Sequence, residues 1–178
     1  YIPLAGALED SNAESRRATA HTLARCAAVS AEKLAGAERS ALVDRLAPLT
    51  TGDDAVAARG AWRALEGLGE LPTVVPGWVL GAEATDWMAE VAAVRAMAAH
   101  ADGRKVLARR IPEVTLASFT GPRLHVLREL LQGLRPFAAH DEGIARALGG
   151  LRPALAEATA AAQDERRRKA LRLIGCEL

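Results

Sequence analysis

The sequence repeats a short phrase in which a turn signal precedes an arginine, and apolar residues follow that arginine at three and six positions. The two best copies are centred on Arg17 and Arg59, and weaker copies are centred on Arg95, Arg128 and Arg168. Successive copies lie 42, 36, 33 and 40 residues apart. Two helices with short turns fill about 35–45 residues, so this spacing predicts a chain of repeated helix pairs.

Composition agrees with an all-α fold. Half of the 178 residues are hydrophobic, but only 3% are aromatic, so the core is expected to be aliphatic. The chain is rich in alanine, which favours closely packed helices, and strand-like alternation is nearly absent. Its length suits one domain or one compact run of repeats.

Apolar periodicity and cap residues place the helices along the chain. The predicted helices cover residues 2–9, 12–28, 37–49, 53–69, 85–100, 102–119 with a break near 112, 120–137, 141–162 with a division near 149–153, and 164–176. Asp53, Thr85-Asp86 and Asp102 are the predicted starts of three of them, and Gly67 and Gly69 are the predicted stops of one.

One segment interrupts the pattern. Pro72 and Pro76 prevent a long helix there, so residues 71–80 are predicted to form a loop with a short helical turn. The chain is therefore divided into regular repeats at 1–70, an irregular loop at 71–83 and degenerate repeats at 84–178, all within one domain.

The acidic turn, the early arginine and the small or aliphatic residues behind it are clearest in residues 10–26 and 53–68, and they resemble the HEAT-repeat superfamily. The resemblance implies a right-handed α-α superhelix of about five helix pairs, with the second helices on a concave surface that commonly binds proteins. It also implies that Arg17, Arg59, Arg95 and Arg168 link neighbouring repeats.

Several features of the sequence bear on the cellular compartment and on whether the chain is part of a longer protein. Cys26 and Cys176 lie in helical patterns and are expected to be small buried hydrophobes in a reducing cytoplasm. No apolar run approaches the roughly 20 residues that span a bilayer, so no membrane partner is expected. The apolar helical pattern begins almost at Tyr1, which suggests a piece of a longer chain.

Motifs for catalysis are not evident. The four histidines include no pair spaced four residues apart, so no metal site is expected, and no phosphate loop or nucleophile motif predicts a cofactor. The sequence therefore favours a non-enzymatic scaffold that holds another protein or another domain of the parent chain.

An alternative interpretation comes from a window that contains Trp62, Arg63, Trp78, Asp86 and Trp87. Some HEAT-like proteins are DNA glycosylases for alkylated bases, which place aromatic residues and a carboxylate in a basic groove. The resemblance then implies that Asp86 stabilises positive charge on the sugar. Otherwise Trp62 packs between repeats, while Trp78 and Trp87 close the loop onto the solenoid.

Charge is unevenly distributed along the chain. Residues 1–100 carry nine Lys and Arg against 13 Asp and Glu, whereas residues 101–178 carry 14 against nine. The basic candidates for ligand contact are Arg104, Arg109, Arg128, Arg135, Arg168 and Arg172. These could meet phosphates, so nucleic acid is a possible partner, although acidic neighbours such as Glu129 and Asp164 are typical of a solvated helix face.

Overall fold

A computed structural model describes residues 2–30, 32–84 and 86–178, including every side chain in those ranges except those of Ile2 and Ala28. These residues form helices, turns and loops without a strand, which confirms the all-α prediction for them. The α-helices are α1 (Ile2–Gly6), α2 (Ala13–Ser30), α3 (Gly36–Leu46), α4 (Ala55–Leu68), α5 (Trp87–Ala99), α6 (Ala101–Arg110), α7 (Leu124–Leu134), α8 (Glu142–Ala161) and α9 (Glu165–Cys176).

The helices pack largely in the order of the chain. Helix α2 packs on α4, α4 on α5, α5 on α7, and α7 on α9. Of the remaining helices, α1 contacts α3, and α6 contacts α8. Short 3-10 turns extend several ends, as at Gly121–Arg123 before α7 and Arg135–Phe137 after it.

Small residues allow neighbouring helices to approach closely. A Cβ atom added at Gly60 of α4 would lie 2.6 Å from the Cβ of Ala20 on α2. A Cβ added at Gly133 of α7 would lie 2.5 Å from the Cβ of Ala98 on α5. Both distances are too short for real carbon atoms, so these helix pairs depend on glycine at the contact.

Two groups of buried side chains form the interior. One lies among α1–α4 and includes Leu8, Leu23 and Leu65. The larger lies among α4–α9 and includes Trp62 and Phe119, both fully buried. As expected from composition, most of the remaining buried side chains are aliphatic.

Helix α4 shows how local signals set the helix ends. Asp54 is the N-cap, since its Oδ1 accepts from the backbone N–H of Val56 at 2.9 Å and of Ala57 at 3.1 Å, so the prediction of Asp53 was wrong by one residue. Gly69 follows the helix with φ +68°, as a C-terminal glycine should, whereas Gly67 lies inside α4 and does not stop it.

Other boundaries need correction. Asp86 caps α5 as predicted, while Thr85 lies outside the described residues. Helix α6 begins at Ala101 after His100, so Asp102 lies in the first turn rather than at the cap. Helix α8 is not divided at residues 149–153, because buried Leu148, Leu151 and Leu155 hold both sides of Pro153 on the core.

The irregular segment between α4 and α5 is a loop that contains short hydrogen-bonded turns, as predicted. The Arg110 guanidinium donates to three of its carbonyl oxygens, those of Val75 at 3.1 Å, Pro76 at 2.6 Å and Val79 at 2.8 Å. In a helix, backbone N–H groups would donate to such carbonyl oxygens; in this loop the Arg110 guanidinium donates to them instead.

A buried ion pair holds the end of the same loop. Glu90 of α5 is fully buried and bonds Arg123 through two contacts of 2.8 Å. Glu90 Oε1 also accepts from the Leu80 N–H at 2.9 Å, while Arg123 donates to the Gly81 carbonyl. We call this arrangement the Glu90–Arg123 clamp. Leu80 has φ +63°, an unusual value for leucine, and the clamp fixes it there.

Within the described part of the chain, the helices are all too short or too polar to cross a bilayer.

Candidate partner-binding groove

A concavity of about 750 Å³ lies between α7 and α9, beside the start of α5. We call it the α7–α9 groove. Its lining residues are Trp87, Gly121, Pro122, Leu124, His125, Arg128, Asp164, Arg166, Arg167, Ala170, Leu173, Ile174 and Glu177. A cavity of this size is within the range that accommodates several side chains of a partner or a small ligand.

The floor of the α7–α9 groove is apolar. Leu124 and Ile174 pack on the core below it, and Leu173 of α9 is 61% exposed to solvent. A leucine that exposed in a concave site gains free energy when a partner covers it, at about 25 cal/mol per Å² of buried apolar area.

An aromatic pair forms one wall. The rings of Trp87 and His125 have centroids 5.5 Å apart and planes inclined by 32°. Trp87 is half-buried and His125 is exposed, so the pair presents a rigid surface with a polar edge. Rigid aromatic side chains of this kind are frequent at sites of recognition because they lose little conformational entropy on binding.

The charged side chains of the groove are partly committed to internal contacts. Glu177 accepts from Arg128 at 3.2 Å, and Asp164 caps α9 by accepting from the N–H groups of Arg166 and Arg167 at 3.1 Å. The Arg167 side chain donates to the Leu116 carbonyl at 3.2 Å. The exposed Arg166 therefore adds positive charge to a rim whose carboxylates already have partners.

Contacts from arginine connect neighbouring helices of the series α2, α4, α5, α7 and α9. These contacts are Arg16 to Asp54 at 2.5 Å, Arg59 to the Met88 sulfur at 3.2 Å, Arg95 to Glu129 at 2.6 Å and Arg128 to Glu177 at 3.2 Å. Arg59 and Arg95, two of the arginines predicted to link repeats, thus each contact a residue of the next helix in this series. Arg16 makes the contact expected of Arg17, while Arg168 bonds Glu165 of its own helix and the carbonyl of Ala162, the C-cap residue of α8.

Of these links, Arg95–Glu129 has the best geometry, with two hydrogen bonds of 2.7 Å and 2.6 Å. The hydrogen bond from Arg95 is the largest effect that lowers the pKa of Glu129 below its ordinary value of 4.5, and the same bond raises the pKa of Arg95.

Glu129→Gln should therefore lower stability in a pH-dependent way. The Glu129 pKa is depressed in the folded state, so its contribution is present above the ordinary value of 4.5 and is lost as the pH falls through the lowered value. Because Arg95 is half exposed, we expect about 0.5–1 kcal/mol near neutral pH. Urea unfolding of both proteins from neutral to acidic pH measures it. The difference in unfolding free energy between the two proteins should shrink as the pH falls. Glu142→Gln is the control, because the Glu142 side chain is 96% exposed, and its difference from the unchanged chain should not depend on pH in this way.

The structure disperses the aromatic and acidic residues singled out in the sequence. Trp62 is fully buried, as its packing interpretation required, and so it cannot contact a ligand at the surface. Trp78 and Asp86 line a separate recess of about 350 Å³ together with Asp53 and Glu83. The Asp86 carboxylate caps α5 through bonds of 2.8 Å and 2.9 Å, and only Trp87 reaches the α7–α9 groove.

The basic candidates are dispersed as well. Arg128 lines the α7–α9 groove. The exposed Arg63 of α4 lines neither that groove nor the recess that Trp78 and Asp86 line. Arg104 stacks over the Phe137 ring at 3.7 Å, and Arg109 donates to the Lys105 carbonyl of its own helix at 3.3 Å. Exposed Arg135 lies in the 3-10 turn after α7.

Arg168 and Arg172 line a further groove between α8 and α9. The basic residues 101–178 therefore do not converge on one site.

Two residues of the groove were missed in the sequence. Leu173 carried a usable signal, because it is apolar yet out of phase with the buried Leu171 and Ile174 of the same helix. His125 carried none, since its ring partner Trp87 is distant in sequence.

No cluster of three or more His, Cys, Asp or Glu side chains suited to a metal ion occurs among the described residues. No family model, curated protein or solved structure matches this chain.

Proposed function

We propose that the chain is a non-enzymatic interaction module, a HEAT-like right-handed superhelix of about five helix pairs that holds another protein or another domain of its parent chain. The sequential packing of α2, α4, α5, α7 and α9 supports this proposal, as do the arginine contacts that connect them. In such an arrangement each unit contacts mainly its neighbours and offers a long surface for binding.

The observation that carries the proposal is the exposed apolar floor of the α7–α9 groove. Leu173, which is 61% exposed, lines the same cavity of about 750 Å³ as the aromatic pair of Trp87 and His125. Binding energy at protein interfaces is concentrated in a few such residues near the centre of the contact. Leu173 is therefore the anchor, and the arginines around it form the polar rim.

Replacement of Leu173 by serine tests the proposal. The immobilised chain and Leu173→Ser are each used to recover proteins from cells that contain the parent protein, and the recovered partner is then titrated in purified form. We expect Leu173→Ser to weaken that partner's affinity about tenfold or more, because an apolar anchor is lost.

Val29→Ser is the matched control, since Val29 of α2 is 76% exposed but lies outside the groove. It should leave the affinity unchanged. Equal losses in the two variants would place the partner elsewhere, and turnover of a substrate without a bound partner would contradict the module.

One observation favours a second candidate, nucleic-acid binding. The stacked Trp87 and His125 lie in the same groove as Arg128 and Arg166, and aromatic rings beside arginines suit bases and phosphates. Asp164 and Glu177 in that groove disfavour phosphate. Duplex binding at about 50 mM salt would support this candidate. Its glycosylase form is not favoured, because Asp86 caps α5 and lines a separate recess rather than this groove.

A further inference from the structure

A second concavity lies on the other side of α9, between α8 and α9, with a volume of about 610 Å³. We call it the α8–α9 groove. Its only charged lining residues are Arg152, Arg168 and Arg172, and none of its lining residues is acidic. Glu165 neutralises Arg168 in part, through a contact of 2.5 Å. The groove nevertheless retains a larger excess of positive charge than the α7–α9 groove, where two carboxylates oppose three arginines.

The arginines are spaced along the α8–α9 groove rather than gathered at one point. Arg168 bonds the Ala162 carbonyl at one end, and Arg152 of α8 bonds the Leu178 carbonyl at the other. Arg172 lies one turn beyond Arg168 on α9. Along α8, residues 152 and 160 are separated by about 12 Å at 1.5 Å per residue. The cations at the two ends, Arg152 and Arg168, therefore suit a ligand with several separated anionic groups, such as a polypeptide with several carboxylates, better than a single phosphate.

The floor between the arginines is apolar, and several of its exposed residues have small side chains. Leu155 and Leu171 are buried beneath it, and the small residues Ala156 and Ala160 of α8 and Gly175 of α9 also line it. Small residues at these positions leave room for the apolar face of a helix to approach the backbone. A nucleic-acid backbone would find phosphate partners here but no use for the apolar floor, so the observations favour a polypeptide.

We infer that the α8–α9 groove binds an acidic amphipathic helix of a partner protein, whose apolar face covers Ala156, Ala160 and Leu171 and whose flanking carboxylates meet Arg152, Arg168 and Arg172. This site is separate from the α7–α9 groove and does not depend on what that groove binds. Charge-assisted hydrogen bonds from arginine to carboxylate supply the selectivity, and the apolar floor supplies the contact area.

The test uses fluorescein-labelled helical peptides of about 20 residues that share a Leu/Ala face and carry Glu, Gln or Lys on both flanks. Fluorescence anisotropy with the full chain should give an affinity about tenfold or more higher for the Glu peptide than for the Gln peptide. The affinity should fall between about 50 and 200 mM salt, because exposed charges are screened. Equal binding of the Glu and Lys peptides would overturn the inference.

Variants locate the site. Arg172→Glu should weaken the Glu peptide about tenfold or more by charge reversal, and Ala156→Leu should do so by filling the floor without a change of charge. Arg146→Glu reverses a charge on α8 outside the groove, at an 82% exposed side chain, and should change the affinity less than twofold. Circular dichroism and thermal unfolding establish that each variant is folded.

Two further measurements distinguish this groove from the α7–α9 groove and a peptide ligand from a nucleic acid. Leu173→Ser should bind the Glu peptide as the unchanged chain does, so failure of the α7–α9 groove proposal leaves this inference standing, and the reverse also holds. A labelled DNA duplex that binds as tightly as the Glu peptide, and is lost in Arg172→Glu, would show that the arginines serve phosphates and would overturn the inference. So would undiminished peptide binding in both Arg172→Glu and Ala156→Leu.

Discussion

Glu90→Ala is expected to lower the free energy of unfolding by about 3–5 kcal/mol, the range for removal of one partner of a buried ion pair. The variant leaves Arg123, whose side chain is 10% exposed, without its counter-charge. It also leaves the Leu80 N–H without its acceptor, since that group donates to Glu90 Oε1 at 2.9 Å. Urea denaturation followed by circular dichroism measures the loss.

The double variant Glu90→Ala/Arg123→Ala separates the cost of an unpaired charge from the cost of lost contacts. We expect it to be less destabilised than the sum of the two single variants, because neither buried charge is then left alone. The Arg123 guanidinium also lies 4.3 Å from the centre of the Phe119 ring and donates to Ser118 Oγ at 3.1 Å, so its own loss is not neutral. Additive single effects would show that the clamp is not a coupled pair.

Asp102→Ala is the control for charge removal at the surface. Asp102 pairs with Lys105 at 3.0 Å, but its side chain is 88% exposed. When one member of such a pair is removed, water solvates the charge that remains. The unfolding midpoint should therefore stay close to that of the unchanged chain. If Glu90→Ala also behaved in this way, the clamp would not be a stabilising element.

The helices could be predicted because their signals are local. Asp86 caps α5 as expected, and Asp164, the first residue of the predicted range 164–176, caps α9. The regular leucines of α7, including Leu127, Leu130 and Leu134, are buried as their spacing required. A cap and its amides lie within three residues, and an apolar stripe repeats within two turns, so each helix is encoded in its own segment.

The clamp and the grooves could not be predicted because their members are far apart in sequence. In α5, Glu90 looks like an ordinary acidic residue of the first turn, and only its pairing with Arg123, 33 residues later, makes it a buried group. Trp87 likewise acquires its role from His125. The three tryptophans are close in sequence, which suggested one site. In the structure Trp62 lies in the core, and Trp78 and Trp87 line two separate cavities.

Glycine-to-alanine substitutions within helices should have opposite effects at two positions of this chain. At Gly103 in the first turn of α6, an added Cβ would lie 2.2 Å from the Met97 carbonyl oxygen and 2.7 Å from the Met97 Cα. These are backbone atoms that no side-chain rotation can move, so α5 and α6 must shift apart. We expect Gly103→Ala to lower the free energy of unfolding by about 3 kcal/mol or more, the upper range for overpacking.

Gly150→Ala provides the matched comparison, because Gly150 is exposed in the middle of α8 and an added Cβ would find no atom within 4 Å. Alanine there restricts the unfolded chain and favours the helix, so stability should rise by about 0.5–1 kcal/mol. Urea denaturation of both variants gives the two signs. A stabilised Gly103→Ala would mean that α5 and α6 are not in contact at this turn, and a destabilised Gly150→Ala would mean that the helix at Pro153 depends on glycine flexibility.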